Sequence, residues 1–341
     1  MVVTLGIDIG GANTKIAFLE YSNNKIRNLE TRSKYFPIWK MPKNLSKIIV
    51  KLSKPFKTEY IGLTLTAELS DVFPNKRTGV SFVLKSAAKV FGQKKIRVIN
   101  VDGDLLSFKQ ALKAPLSVAA ANWQATVEIA KEAMPDGILV DVGSTTTDII
   151  PIKAGKAICH KTDFERLSNN ELVYTGLLRT NVSSIVDRII LDGKYFNIAA
   201  EYFAIAADVH LILGKISPKD YSCDTPDARE KTKKAALRRL AKVVCADLDQ
   251  LTESQVIQIA NFIYQQQVYK IAEAISAIKL RERFSKVMVT GVGKDALGKI
   301  AAEKANISEI LDMADLIGNK ACKEATAVGA ALLLAKYESD S

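Results

Sequence analysis

The sequence predicts an α/β protein built as two similar halves. Two observations carry that expectation and a third extends it. The stretches "LGIDIGGANTKIAF" (5–18) and "LVDVGSTTTDIIP" (139–151) repeat one pattern of strand, Asp-x-Gly, polar turn and strand. Their aspartates, Asp8 and Asp141, stand 133 residues apart (141 minus 8), a domain-scale spacing and the mark of an internal duplication. Strands and helical stretches interleave through both halves, which argues for helices layered on sheets. A third glycine turn, Thr290-Gly291-Val292-Gly293, follows a strand and precedes a helix.

In chain order, residues 2–9 are rich in β-branched side chains and predict a buried strand. Residues 15–21 predict a second strand that turns at Asn23-Asn24, and residues 26–36 a third, giving a hairpin meander after a glycine loop. A helix is expected over 43–54, a strand over 60–66, an amphipathic helix over 79–91 and a strand over 96–101. Residues 105–113 and 122–134 predict helices, and Pro135-Asp136-Gly137 breaks the second one. That break sets the expected domains at 1–135 and 136–341. The second half restarts with strands at "GILVDVG", "TDIIPIKAG" and "KAICHKT", and helices dominate from about 184. Thr252-Glu253-Ser254-Gln255 is a capping box opening a helix to about Phe284. Residues 286–293 read as a strand into the third glycine turn, followed by a helix. "AVGAALLLA" (327–335) is too short to span a bilayer and reads as a buried helix.

The 341 residues, 48% hydrophobic and 25% charged, are enough for a sizeable core. The net charge of +11 fits anionic small molecules or simply a lysine-rich surface. No zinc-finger, RNA-binding aromatic signature or basic-region zipper appears, so no nucleic-acid partner is expected. The basic run 229–242 reads as a solvated helix face. The four cysteines, Cys159, Cys223, Cys245 and Cys322, form no C-x-x-C pair and fit reduced thiols in a cytoplasmic protein. Cys159-His160 fits packing better than metal binding. The N-terminus enters a strand directly, so neither a signal peptide nor a membrane partner is read. Homodimer formation is left open.

The two repeated loops suit anions. Glycine lets the backbone turn tightly and brings N–H groups near a ligand, so Gly10, Gly11, Ala12, Asn13 and Thr14 form one candidate nest. Gly143, Ser144, Thr145 and Thr146 form another and add three hydroxyls. Asp8, Asp141 and Asp148 are wrong for phosphate directly, but right for hydrated Mg²⁺ bridging phosphate oxygens. Lys15 can reach a terminal phosphate as a point charge. Either loop alone could be an ordinary turn in which Asp and Thr bond their own backbone; two copies shift the balance toward ligand binding.

Together the loops resemble those of the actin, sugar-kinase and heat-shock-70 superfamily. "DIGGANTK" looks like its first phosphate loop, "DVGSTTTD" its second, and "VTGVGKDAL" its adenosine-side loop, with Gly291 and Gly293. The resemblance implies two ribonuclease-H-like, actin-like domains facing each other across a cleft. Within that superfamily the chain is similar to the hydantoinase/oxoprolinase branch. It most resembles the archaeal methanofuran-biosynthesis synthases there, through "GIDIGGANTK", "TLTAELSDVFPNKRTGV", "SVAAANW", "DVGSTTTDIIPI" and "NNELVYTGLLRT". It departs from them at Asn181, where proline is common.

That resemblance implies transfer of an aminomethylfuran-methyl group from its diphosphate to the phenol of γ-glutamyltyramine. An aryl ether forms and diphosphate leaves, with Mg²⁺ as the expected cofactor; whether ATP binds stays open. The phenol needs a base, and the candidates are Glu68, Asp71, Asp102 and Asp104, each at or beyond a strand end. Lys76, Arg77 and Arg179 could hold diphosphate or the glutamyl carboxylate, and Trp123 could stack on an aromatic substrate. Plainer readings stand beside these. Asp102 and Asp104 flank Gly103 and could shape a turn, Trp123 could be core, Glu68 and Asp71 could sit in a solvated loop, and Arg179 could brace a hairpin. The loops would equally serve an ATP-dependent small-molecule kinase or a hydantoinase/oxoprolinase-type hydrolase, although "VTGVGK" is a poor double-glycine adenosine loop. A nucleotide-gated regulator or chaperone-like ATPase ranks last, because such proteins usually carry an added binding domain and none is visible.

Overall fold

The computed structural model describes residues 1–58 and 60–340. They divide into two compact units. One comprises Met1–Leu139, Ile150–Ser168 and Asp312–Ser341; the other comprises Val140–Ile149 and Asn169–Leu311. The last thirty residues, expected with the C-terminal half, therefore belong to the first unit.

The first unit is built on a sheet of β1 (Val2–Gly10), β2 (Asn13–Ser22), β3 (Lys25–Tyr35), β4 (Tyr60–Thr66), β5 (Ile96–Ile99) and β6 (Leu105–Ser107). Its order is β3-β2-β1-β4-β5-β6. The first three strands form an antiparallel meander, and β4 joins β1 in parallel. This is the ribonuclease-H-like arrangement. The register Asp8↔Thr64 and Gly10↔Thr66 brings the carboxyl ends of β1 and β4 side by side.

One face of this sheet carries the main apolar core, including Ile7, Ile9, Leu63, Leu65, Val83 and Leu84. The other face takes the helix Ala325–Ser339, and glycine explains how closely it lies. A Cβ at Gly6 would stand 1.9 Å from the Ala327 carbonyl oxygen, and one at Gly62 would stand 2.4 Å from that of Ala330. The alanine-rich run 325–335 is thus buried, as expected, but in the first unit because only a small-residue helix can approach glycine-bearing strands so nearly.

The second sheet has the order β10-β8-β7-β13-β14, from β7 (Gly137–Val142), β8 (Thr147–Lys153), β10 (Leu172–Val173), β13 (Lys286–Thr290) and β14 (Glu309–Asp312). The short β9 (Lys156–Ala157) pairs with β8. The capping box at Thr252 and Gln255 opens the helix Glu253–Glu282.

Some expectations need correction. Residues 105–107 are β6, and only Phe108–Lys113 is helical, capped by Ser107 and Gln110. The strand expected at "KAICHKT" is two residues long. The helical region after 184 contains a hairpin, β11 (Arg188–Leu191) with β12 (Lys194–Asn197). The basic run is not wholly solvated: Arg239 is buried and donates to Asp208 Oδ1 at 2.9 and 2.7 Å. All four cysteines are thiols. Among the described residues, no helix is long and apolar enough to cross a membrane.

Candidate active site

In the first unit, Asp8 lies two residues before the end of β1, almost fully buried. Thr326 Oγ1 donates to its Oδ2 at 2.6 Å. Lys15, opposite Asp8 on β2, sets its Nζ 3.9 Å from Asp8 Oδ2 and 3.8 Å from Glu324 Oε2. Burial pushes the Glu324 carboxyl up, while Lys15 and Ser33 pull it down. Glu324 and Thr326 carried no motif signal, because they reach Asp8 only through the packing of the C-terminal helix. The loop is held from behind: the Ile38 N–H donates to the Gly11 carbonyl at 2.9 Å and the Phe36 N–H to that of Ala12 at 2.8 Å. Gly11 itself has no heavy atom within 4 Å of where a Cβ would stand, so a ligand can approach its backbone. Asn13 and Thr14 open β2, and the Thr14 hydroxyl is buried with no protein partner, as is that of Thr64.

Glu68 stands two residues beyond the end of β4, on the edge that carries the first loop. It is 2% exposed, and its Oε2 is buried without a hydrogen-bond partner. Burial raises its carboxyl to about 7, with Asp163 pushing the same way; its own backbone N–H, Lys76 and the Ala120 N–H oppose the rise. Ala120 adopts a left-handed backbone, φ +52°, costly for a residue with a Cβ. Gly79 lies so close that a Cβ there would stand 2.5 Å from the Glu68 carbonyl oxygen. The solvated-loop reading of Glu68 is therefore overturned.

The other first-unit candidates behave differently. Asp71 is exposed in the turn before the helix Lys76–Phe91. Asp102 is exposed and paired with Lys161. Its N–H and that of Asp104 both donate to Asn100 Oδ1, at 3.0 and 2.7 Å, so these aspartates shape a turn. Lys76 and Arg77 open the helix that Asn75 caps, beginning three residues before the expected start. Trp123 is 2% exposed, with the Arg166 guanidinium 5.3 Å from its ring centroid. Its ring is core, with one face covered, and not an open stacking platform.

In the second unit, the Gly143 N–H donates to the Thr146 carbonyl at 2.9 Å, so that N–H closes the turn and does not face an anion. Arg179 Nη1 donates to Thr145 Oγ1 at 3.1 Å, which braces the loop. Asp141 meets the third glycine turn: a Cβ at Gly291, φ +89°, would stand 2.4 Å from Asp141 Oδ1. The Gly293 N–H donates to the Val142 carbonyl at 2.9 Å. Asp148 is buried on β8, opposite Leu172 of β10. Lys294 follows Gly293, buried at the start of a one-turn π-helix, a geometry frequent at functional sites. Asn181, in the position where proline was expected, caps the short helix Val182–Ile185 and accepts from the Ser183 N–H at 3.3 Å.

Among the described residues, no three His, Cys, Asp or Glu side chains form a metal cage. Mg²⁺ does not require one, because it keeps several waters and binds through one or two carboxylates plus substrate phosphates. The carboxylate and hydroxyl oxygens around Asp8, and those at Asp141 and Asp148, fit that chemistry.

Residues 59–339 match the hydantoinase/oxoprolinase family. A curated relative from Methanocaldococcus jannaschii is 42% identical over 310 residues, spanning 91% of each chain. The chain belongs to the hydantoinase/oxoprolinase family. That relative is named as the synthase of a furan methanamine bearing a phenoxymethyl group with a γ-L-glutamylaminoethyl arm. Two solved structures share the fold. Nucleotide-free acetone carboxylase matches with TM-score 0.55 and 10% identity, over 97% of this chain and 70% of that one. Component A of the Acidaminococcus fermentans (R)-2-hydroxyglutaryl-CoA dehydratase matches with TM-score 0.50 and 12% identity, over 99% and 100%.

Proposed function

We propose that this protein is the synthase that joins γ-glutamyltyramine to an aminomethylfuran-methyl diphosphate, forming the aryl ether of a methanofuran precursor. The observation that carries the chemistry is Glu68: a buried carboxyl raised to about 7, with an unpartnered oxygen, on the edge that holds the first glycine loop. The name of the 42%-identical relative supplies the substrate class.

The step balances as follows. The phenol O–H gives its proton to the Glu68 carboxylate. The phenol oxygen bonds to the furan-bound methylene carbon. The bond from that carbon to the diphosphate oxygen breaks, and its electron pair leaves with diphosphate. Lys15 holds the diphosphate as a point charge, and the backbone at Gly10 and Gly11 approaches it closely. Mg²⁺ held by Asp8 would neutralise charge on the leaving group.

The raised carboxyl suits the task. A phenol titrates near 10, so proton transfer to a carboxylate at its ordinary value of 4.5 would be uphill by about 7.5 kcal/mol; with Glu68 at about 7 the cost falls to about 4 kcal/mol. The test is mass-spectrometric: purified protein, Mg²⁺, both substrates and no ATP. Ether product with matching diphosphate release is expected. No product without ATP would favour an ATP-dependent kinase or a hydantoinase/oxoprolinase-type hydrolase.

A further inference from the structure

The carboxyl of Glu324 belongs to no motif and plays no part in the proposed transfer step. Glu324 immediately precedes the helix Ala325–Ser339, and its carbonyl accepts from the Ala327 N–H at 2.9 Å and the Val328 N–H at 3.1 Å. A residue at such a position commonly turns a short polar side chain back to cap the helix. The Glu324 side chain makes no capping hydrogen bond. Its carboxyl lies beside the first loop instead.

Strand register explains what it meets there. Asp8 pairs with Lys15 across β1 and β2, and Lys15 pairs with Ser33 across β2 and β3. Residues directly opposite share one face of a sheet, so Asp8, Lys15 and Ser33 form a row. The bond from Thr326 to Asp8 marks that face as the one that takes the C-terminal helix. Glu324 reaches the row from the helix: Ser33 donates to its carboxyl, and Lys15 Nζ stands 3.8 Å from its Oε2. On its other side Lys15 Nζ stands 3.9 Å from Asp8 Oδ2. One ammonium is thus set between two carboxylates. They are not equivalent. Asp8 is the carboxylate proposed to hold Mg²⁺, so Glu324 is the counter-charge left to Lys15 once the metal is bound. The Glu324 side chain is 12% exposed and that of Lys15 22%, so water screens their attraction only in part.

We infer that Glu324 is a positioning residue acting through Lys15: it competes with diphosphate for the ammonium and keeps the leaving group loosely enough held to be released. The inference rests on the proposed diphosphate role of Lys15. Diphosphate that draws the ammonium toward itself leaves a buried carboxylate short of its counter-charge, and that cost is subtracted from the affinity. Glutamine at 324 has nearly the same shape, still accepts from Ser33 and needs no counter-charge. The two carboxylates beside Lys15 therefore act with opposite sign: neutralising Asp8 weakens diphosphate binding, and neutralising Glu324 strengthens it.

The test compares full-length wild type, E324Q, K15Q and the double variant for binding of magnesium diphosphate by calorimetry. KM and kcat of ether formation, inhibition by added diphosphate and thermal unfolding are measured in parallel. E324Q should bind diphosphate about tenfold more tightly, be inhibited at about tenfold lower concentration, and lower KM without raising kcat. E324D, which restores a carboxylate, should return the affinity toward wild type. K15Q should bind at least about tenfold more weakly, and adding E324Q to it should change affinity by less than about twofold. If K15Q is weakened but E324Q binds no more tightly than wild type, with only its unfolding temperature changed, the inference alone is overturned. Tightening that persists in the K15Q background would also overturn it, because Glu324 would then act on the anion directly. Wild-type affinity in K15Q, or a wild type that binds no diphosphate, would overturn the Lys15 reading and the inference with it.

Discussion

Replacing Glu68 with glutamine separates the stability of the site from its chemistry. In the folded protein the Glu68 carboxyl is raised from 4.5 to about 7, chiefly by burial. The folded state therefore holds a proton between about pH 4.5 and 7 that the unfolded chain has released. Stability falls wherever the native state binds more protons as pH rises, so this group lowers wild-type stability across that window. The full loss, reached above pH 8, is about 3 kcal/mol at 1.36 kcal/mol per pH unit. Glutamine has nearly the same shape and no titration, so E68Q escapes the loss. Urea unfolding of both proteins at pH 5 and pH 8 measures the effect, and all other titrating groups cancel in the difference. About 0.8 kcal/mol of that loss is already present at pH 5, so the stability of E68Q relative to wild type should improve by about 2.5 kcal/mol from pH 5 to pH 8. Turnover at pH 8 should fall by about 10²–10⁴-fold for loss of a general base. An equal stability difference at both pH values would refute the reasoning, because Glu68 would then titrate as an ordinary exposed carboxylate.

Three further outcomes follow from named contacts. Asp8→Asn removes the charge that Lys15 approaches at 3.9 Å and should weaken magnesium-diphosphate binding at least about tenfold by calorimetry; unchanged affinity would contradict the first-loop assignment. Gly291→Ala forces a Cβ against Asp141 Oδ1 at φ +89° and should cost at least about 2 kcal/mol in denaturation, whereas wild-type stability would mean the turn relaxes freely. Asp102→Asn touches only an exposed ion pair with Lys161, and steady-state assays should find kcat within about twofold; a large loss would restore Asp102 as a candidate base.

The glycine loops were legible because their chemistry is local: the turn, the aspartate and the hydroxyls lie within a few residues. Strand β4 and the long helix opened by Thr252 and Gln255 were legible for the same reason, through β-branched composition and a capping box. What stayed hidden depends on tertiary packing. Glu324 and Thr326 reach Asp8 only because Gly6 and Gly62 admit the C-terminal helix. The sequence could nominate four carboxylates as bases but could not rank them, since burial separates Glu68 from Asp71 and Asp102. Arg239 looked like one more solvated cation in a basic run until Asp208 appeared opposite it.

The most direct test of Glu68 as the base is the pH dependence of kcat/KM for ether formation. The wild-type rate should rise with pH through an apparent pKa near 7, as the carboxyl loses its proton and becomes able to accept one from the phenol. That limb should be absent from the residual activity of E68Q. A wild-type profile already flat from pH 5 upward, or the same limb surviving in E68Q, would contradict the account.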